Sequence, residues 1–321
     1  MSASSEWHQA LQWHFTIASR ISATMLFMNQ TSPCQQVISQ LFPGMDLWMK
    51  RDDMLHPQVS GNKFRKLKYP LLVLQGQATH VVSMGGIWSN HIHALAHASK
   101  ILGLPATALI RGAESMHSAM LEDVRNLGMR TQFVNRGAYR ELRDDDSAWR
   151  KHVDPGAAEV LWLPEGGSTP LALRGVAELI AELPFIPDYL MVACGTGATL
   201  AGLLAGLAGR SKVIAIAAIS KGDYLRTEIS RLLMQAGYPD YQNYELLTEY
   251  HHGGYGKTNP ALAGFCHEFQ LETGIALEPV YTGKMMFALR ELWHHGYLAK
   301  NASVVAVHTG GLQGARGFVP M

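Results

Sequence analysis

From residue 79 onward the chain alternates short apolar runs with longer stretches of helical spacing, and nearly every run ends in glycine. The runs are THVVSMGG (79–86), PATALIRG (105–112), RTQFVNRG (130–137), EVLWLPEGG (159–167), DYLMVACGTG (188–197), KVIAIAAIS (212–220) and ASVVAVHTGG (302–311). They are β-branched or apolar and short, and they close on glycine or polar turns, which predicts strands. Between them NHIHALAHASKILG, ATLAGLLAGLAG and TGKMMFALRELWHHG have helical spacing. A strand–helix alternation of this kind requires mostly parallel sheets with helices on both faces. Ligands then bind at the carboxyl ends of the strands, where the glycine-rich segments fall.

With 321 residues, 47% of them hydrophobic, the chain can build two α/β domains. Its net charge of +1 excludes a dedicated nucleic-acid binder, so the basic cluster in SGNKFRKLKY (60–69) is local. The three cysteines, Cys34, Cys194 and Cys266, are far apart, which predicts a reduced cytosolic protein without disulfides or a zinc site. No apolar run reaches the length of about 18 residues that a membrane span needs. Residues 1–27 read as an N-terminal extension without the pattern of a cleaved secretion signal. The two prolines of AELPFIPDY (181–189) mark a crossing between two sheets.

Five stretches carry chemistry. In DYLMVACGTGATLAGL a buried strand runs into Gly195, Thr196, Gly197, Ala198 and Thr199 and then into a helix. Glycine N–H groups, threonine hydroxyls and a helix N-terminus together make a phosphate cradle. It is neither a Walker loop nor a GxGxxG fingerprint, and no acid ends the next strand to hold a ribose. In SMGGIWSNHIHALAHASK, Ser89 or Asn90 caps a helix whose free N–H groups suit a carboxylate. His93, His97 and Lys100 share one helix face there, which reads as solvated; without HExxH spacing it is no metal site. Thr282 in EPVYTGK reads as a helix N-cap, and His308–Gly311 as a strand-end turn that can present Thr309 to a ligand. The glycine-rich HHGGYGKTNP carries Tyr255. The absence of a GxSxG elbow removes the main hydrolase reading. A nucleotide-dependent oxidoreductase and a phosphate-ligand binding protein remain as alternatives.

Taken together, KRDD (50–53), GNKFRKLKY, GGIWSNH, PEGGSTPLALRG, CGTGATLAGL, YGKTNP, EPVYTGK and HTGG occur in order from about residue 40 to 314. This ordered set resembles the pyridoxal-phosphate enzymes related to the tryptophan synthase β subunit, in the branch of D-cysteine desulfhydrase and 1-aminocyclopropane-1-carboxylate deaminase. The resemblance implies fold type II: two domains, each a mostly parallel twisted sheet flanked by helices, with pyridoxal 5'-phosphate in the cleft between them. It places the large cofactor-binding domain at 28–66 and 183–321 and the small domain at 67–182. It implies a homodimer acting on a small amino acid.

The resemblance also implies roles. Lys63 is the Schiff-base lysine, Asn90 bonds the cofactor's phenolic oxygen, and Cys194 to Thr199 hold its phosphate. Ser89 meets the substrate carboxylate or transfers a proton, with Trp88, Asn90 and His91 on the substrate side. Thr309 faces the pyridine nitrogen with Thr282 nearby, and Tyr255 and Tyr281 line the substrate side. Arg65, Lys66 and Lys68 are then surface or supporting charges that need not grip phosphate. The ring-opening deaminase pattern has Glu at position 282 and Leu at position 309. Two threonines in their place match the desulfhydrase pattern, favouring α,β-elimination from D-cysteine; the alternative is the deaminase, formally of the hydrolase class. Trp88 stands where the family usually has Gln.

Overall fold

This computed structural model describes residues 25–28, 30–74, 79–156 and 158–318. Nearly all of the expected N-terminal extension, residues 1–24, lies outside them. The chain forms two compact units, one comprising Thr31–Lys66 and the chain from Thr169 onward, the other Leu67–Ser168 with the described residues before Thr31.

The large unit holds a six-stranded sheet in the order β1-β2-β10-β7-β8-β9. Its strands are β1 (Cys34–Gln36), β2 (Asp46–Lys50), β7 (Tyr189–Cys194), β8 (Lys212–Ala217), β9 (Tyr244–Leu247) and β10 (Ser303–Val307). All neighbours run parallel except β1, which is antiparallel to β2. β7 and β8 are buried on both faces. Leu190, Val192, Val213 and Ala215 enter one core, while Met191, Ala193, Ile214 and Ile216 enter the other. That two-sided burial explains why these strands are continuously apolar rather than alternating. The helices are α1 (Asn62–Leu72, which runs on into the small unit), α5 (Pro170–Ala181), α6 (Ala198–Leu207), α7 (Leu225–Gln235), α8 (Pro260–Thr273) and α9 (Thr282–His294).

The small unit holds a four-stranded, all-parallel sheet in the order β5-β4-β3-β6. These are β3 (Thr79–Gly86), β4 (Ala106–Arg111), β5 (Arg130–Val134) and β6 (Glu159–Leu163). Helices α2 (Asn90–Leu102), α3 (Ala119–Asn126) and α4 (Arg136–Asp144) connect them.

The return to the large unit comes after Ser168, not at the expected residue 183. The reason is α5. Its Val176 lies where a Cβ on Gly202 of α6 would come within 2.5 Å, so the two helices pack backbone to backbone. The proline pair of 181–189 therefore ends a helix already seated on the large unit. The face expected to be solvated is also partly covered: His93 lies 3.4 Å from Asp123 of α3 and stacks edge-on against His97.

One polar network fixes the start of α1. Arg65 Nε and Nη2 donate to Asp52 at 2.6 and 2.8 Å, and its Nη1 and Nη2 donate to Glu182 at 2.8 Å each. Lys50 Nζ donates to Glu182 at 2.6 Å and to the Ser32 carbonyl. Ser32 Oγ donates to Asp52 at 2.6 Å. Two cations and two anions thus neutralise one another across the end of β2, the turn after it, α1 and the end of α5. Burial opposes the Arg65 charge, but Asp52 and Glu182 outweigh it and raise its pKa. Burial likewise opposes the Glu182 charge, yet the bonds from Arg65 and Lys50 hold its pKa below the ordinary carboxylate value. The stability Glu182 contributes is present above its unfolded pKa and is lost as pH falls through the folded one. Replacing Arg65 by Met strands the Asp52 carboxylate in the interior. Urea unfolding should show a loss of about 3–5 kcal/mol, partly recovered in the double variant with Asp52→Asn.

Candidate active site

The carboxyl ends of β2, β10, β7 and β8 bring the large-unit residues together. At the start of α1, Gly61 has φ +64°, and a Cβ there would fall 1.9 Å from the Thr309 carbonyl oxygen that follows β10. Only glycine permits this approach. The Asn62 N–H donates to that same carbonyl at 3.1 Å. The Asn62 side chain then divides its two ends: Nδ2 donates to Thr199 Oγ1 at 2.8 Å, and Oδ1 accepts from Lys63 Nζ at 2.9 Å. A single asparagine thus connects the lysine to the Gly195–Thr199 loop. Buried Cys194 closes β7 before that loop; burial pushes its thiol up to about 12, which makes it a packing residue rather than a nucleophile.

Lys66 is one helical turn beyond Lys63 on the same face. It is only 2% exposed, and its Nζ lies 3.5 Å from Thr196 Oγ1. The expectation that Arg65 and Lys66 are surface charges is therefore corrected, since both are buried; Lys68 alone of the three is partly exposed. Desolvation, then repulsion from Lys63, lowers the Lys66 pKa well below its ordinary value. Lys63, which is partly exposed, is lowered to about 8 by desolvation, opposed by the Glu278 charge. At pH 7 roughly a tenth of such an amine is neutral, against fewer than one in a thousand for a free lysine.

Glu278 lies fully buried beneath the first turn of α9. It accepts from the N–H groups of Val280, Tyr281 and Thr282 at 2.7, 2.9 and 2.6 Å, and from Thr282 Oγ1 at 3.2 Å. The cap of this helix is thus the Glu278 carboxylate; Thr282, expected as N-cap, sits inside the helix. Desolvation pushes Glu278 up to about 7, against these four hydrogen bonds. The Tyr281 ring lies where a Cβ on Gly195 would come within 2.9 Å, and Tyr255 meets it edge-on at 6.1 Å between centroids. Thr309 is 7% exposed and Tyr255 47%.

In the small unit, Ser89 caps α2 by accepting from Ile92 N–H at 3.2 Å, which leaves its own hydroxyl proton to donate. Trp88 and Asn90 flank it and are partly exposed. His91 does not fit its expected substrate-side role. It is 1% exposed, its ring lies against Gly167, and its Nε2 is 2.9 Å from Ser83 Oγ. Because that hydroxyl donates to the Leu163 carbonyl at 2.8 Å, His91 is the donor and pins β3 to the turn after β6.

Nothing in the sequence pattern alone marks Asn62 or Glu278 as working residues, and it marks Lys66 only as a supporting charge. The spacing of Lys63 and Lys66, three apart, was the usable signal for Lys66. Among the described residues no group of His, Cys, Asp or Glu could hold a metal ion, and no helix is long and apolar enough to cross a membrane.

A poised amine beside an anion cradle suits a phosphorylated carbonyl compound. Comparison with known proteins identifies it. Residues 33–310 match the model of the family described as pyridoxal-phosphate dependent enzyme. The chain belongs to this family. It is 30% identical over 84% of its length to the bifunctional D-cysteine desulfhydrase/1-aminocyclopropane-1-carboxylate deaminase of Arabidopsis thaliana, a mitochondrial protein of which it covers 73%. It is 27% identical to the 1-aminocyclopropane-1-carboxylate deaminase of Rhizobium radiobacter, over 85% of this chain and 89% of that one. A solved structure described as an ACC deaminase homologue superposes with a TM-score of 0.73 at 26% identity, over 91% of this chain and 95% of that one. The fold is that of fold type II pyridoxal-phosphate enzymes, the cofactor is pyridoxal 5'-phosphate, and the chemistry is of the lyase type. The hydrolase class expected for the ring-opening alternative finds no support in these comparisons.

The large-unit residues fit such a cofactor: an amine for its aldehyde, and the loop N–H groups, Thr196, Thr199 and Lys66 for its phosphate. Lys66 also gives a test with phosphate alone. A dianion beside it favours the ammonium form. Binding of inorganic phosphate to the cofactor-free chain near pH 7.5 should therefore take up a proton, seen calorimetrically as a buffer-dependent heat. Lys66→Met should reduce that uptake to the share carried by Lys63 and weaken binding about 10-fold or more.

Proposed function

We propose that the protein is a deaminating lyase that carries out α,β-elimination on a D-amino acid, with D-cysteine as substrate. D-cysteine and water would yield pyruvate, ammonia and hydrogen sulfide. The observation that supports the enzyme reading most directly is the chain of bonds from Lys63 Nζ through the Asn62 amide to Thr199. It places a low-pKa amine next to an anion loop that shares its positioning residue.

The bound cofactor would act as the electron sink for negative charge at the substrate Cα. The protein's own residues do the rest. Lys63 holds the cofactor and, with a pKa near 8, can take or return a proton near neutral pH. Ser89 keeps a hydroxyl proton to donate to a carboxylate or a leaving group, and Asn90 is assigned to the cofactor's phenolic oxygen. Tyr281, held against Gly195, lines the substrate side with Tyr255. Thr282 and Thr309 present hydroxyls where the ring-opening pattern has Glu and Leu, and this supports elimination of a β substituent.

One observation favours the second reading, opening of 1-aminocyclopropane-1-carboxylate to 2-oxobutanoate and ammonia. Thr282 is not alone: Glu278 accepts its hydroxyl at 3.2 Å, so an ionisable carboxyl stands one bond behind it. The relatives named above carry that activity in their names.

Two measurements decide. Protein incubated with pyridoxal phosphate should turn yellow, and borohydride should fix the label on Lys63; a colourless, unlabelled chain sinks both readings. Sulfide release from D-cysteine should then exceed 2-oxobutanoate release from the cyclopropane acid, and the reverse ratio selects the second reading. Replacing Thr282 by Glu and Thr309 by Leu together should cut sulfide release about 10-fold or more. Unchanged release would show that these positions do not set the reaction.

A further inference from the structure

The loop that carries Tyr255 has an unusual support. From His251 to Lys257 it contains no helix or strand, and His252, Gly253, Gly254 and Gly256 all have positive φ, from 49° to 109°. Its backbone bonds are short-range: Gly254 N–H to the His251 carbonyl at 3.0 Å and Lys257 N–H to the Gly254 carbonyl at 3.1 Å. Such a loop cannot hold its place by its own hydrogen bonds. Asn259 Nδ2 lies 3.1 Å from His252 Nδ1 on one side of the loop, and a polar link to the sheet comes from α9. Lys284, fully buried, donates from Nζ to the Gly254 carbonyl at 2.8 Å and to the Ala218 carbonyl, just past β8, at 3.2 Å. The His252 ring also stacks edge-on against Phe287 of α9 at 4.7 Å.

We propose that Lys284 is a positioning residue whose buried ammonium clamps the Tyr255 loop to the end of β8 and to α9, and that losing this charge releases the loop. The ammonium form is the one that clamps best. An ammonium makes strong bonds to both carbonyls, whereas a neutral amine donates weakly and gives up the charge that orients the two dipoles. The surroundings make the charge losable. Desolvation lowers the Lys284 pKa to about 8, and Glu278, the carboxylate facing it from the turn before α9, opposes that shift. From the loop side His252 faces it, with its own pKa lowered by burial and by the Lys284 and His251 charges. As pH rises from 7 to 9 the clamp loses its proton, while below pH 7 it stays charged. The catalytic meaning of this control rests on the reading in which Tyr255 lines the substrate side.

Hydrogen exchange read by mass spectrometry on the full-length chain without cofactor tests the clamp directly. At pH 7, Lys284→Met should raise exchange of the 251–257 amides about 10-fold, with β8 and the second half of α9 exchanging as before. Lys284→Arg, which keeps the charge and two donors, should restore most of the protection. In the wild-type chain, exchange of the same amides, corrected for intrinsic rate, should rise between pH 7 and 9, and in Lys284→Met it should not. Unchanged loop exchange in Lys284→Met, or an equal pH-dependent rise in both chains, overturns the proposal. If Lys284→Met fails to fold, a flat corrected profile of the wild-type loop from pH 6.5 to 9.5 overturns it. These outcomes need no substrate, so they stand or fall separately from the lyase reading.

Discussion

Four paired charges, buried Lys50, Asp52 and Arg65 with half-buried Glu182, hold the start of α1 in place, and the reactive lysine depends on where α1 starts. Arg65 is two residues from Lys63 and one from Lys66. Its paired bonds to Asp52 and Glu182 fix the rotation of the helix, which turns both lysines toward the loop after β7. Replacing such a network with apolar residues can be neutral for stability, whereas removing one member is costly. The value of the network here is orientation. A well-packed apolar helix could rotate by a fraction of a turn at little cost; a guanidinium bonded at both edges by carboxylates cannot.

Around this fixed helix the large unit gathers charged groups that are buried or only partly exposed. Desolvation lowers the affinity of Lys63 for protons, with Glu278 offsetting part of the effect, and desolvation together with the Lys63 charge lowers that of Lys66. The result is a set of side chains whose charges are undecided near neutrality. That condition suits a lysine that must accept a carbonyl compound and later move protons. It also suits an anion cradle, because an arriving phosphate settles the charge of Lys66.

The strands with both faces covered were legible in the sequence because burial forces continuous apolar runs, as in LMVAC and VIAIA. β1, β2 and β9 were not. β1 is a three-residue edge strand, and β2 ends in Lys50, whose charge reads as surface until Glu182, 132 residues away, is seen beside it. The same blindness hid Arg65 and Lys66, since buried cations are rare and their partners are distant in sequence. The glycine loop after β7 and the motif around Lys63 were readable because their chemistry is local. His91 was misread for the opposite reason: it neighbours functional residues along the chain, yet its ring turns inward to Ser83. The unit boundary was misplaced because prolines mark chain breaks, while membership of a unit follows packing, here that of α5 on α6.

The closeness of Gly61 to the Thr309 carbonyl has a bearing on how such a protein can change over time. Gly61, Asn62 and Lys63 interlock with the backbone carbonyl of residue 309, so a change at 61 or 62 displaces the lysine, while the side chain at 309 stays outside that lock. Variation in what the protein acts upon is thereby channelled elsewhere, to residues with open space or partial exposure such as Trp88 in the small unit and Tyr255 in its clamped loop. A mutational library confined to those two segments would explore new substrates while leaving the cofactor machinery intact. One spread evenly over the chain would spend most of its members on broken lysine sites.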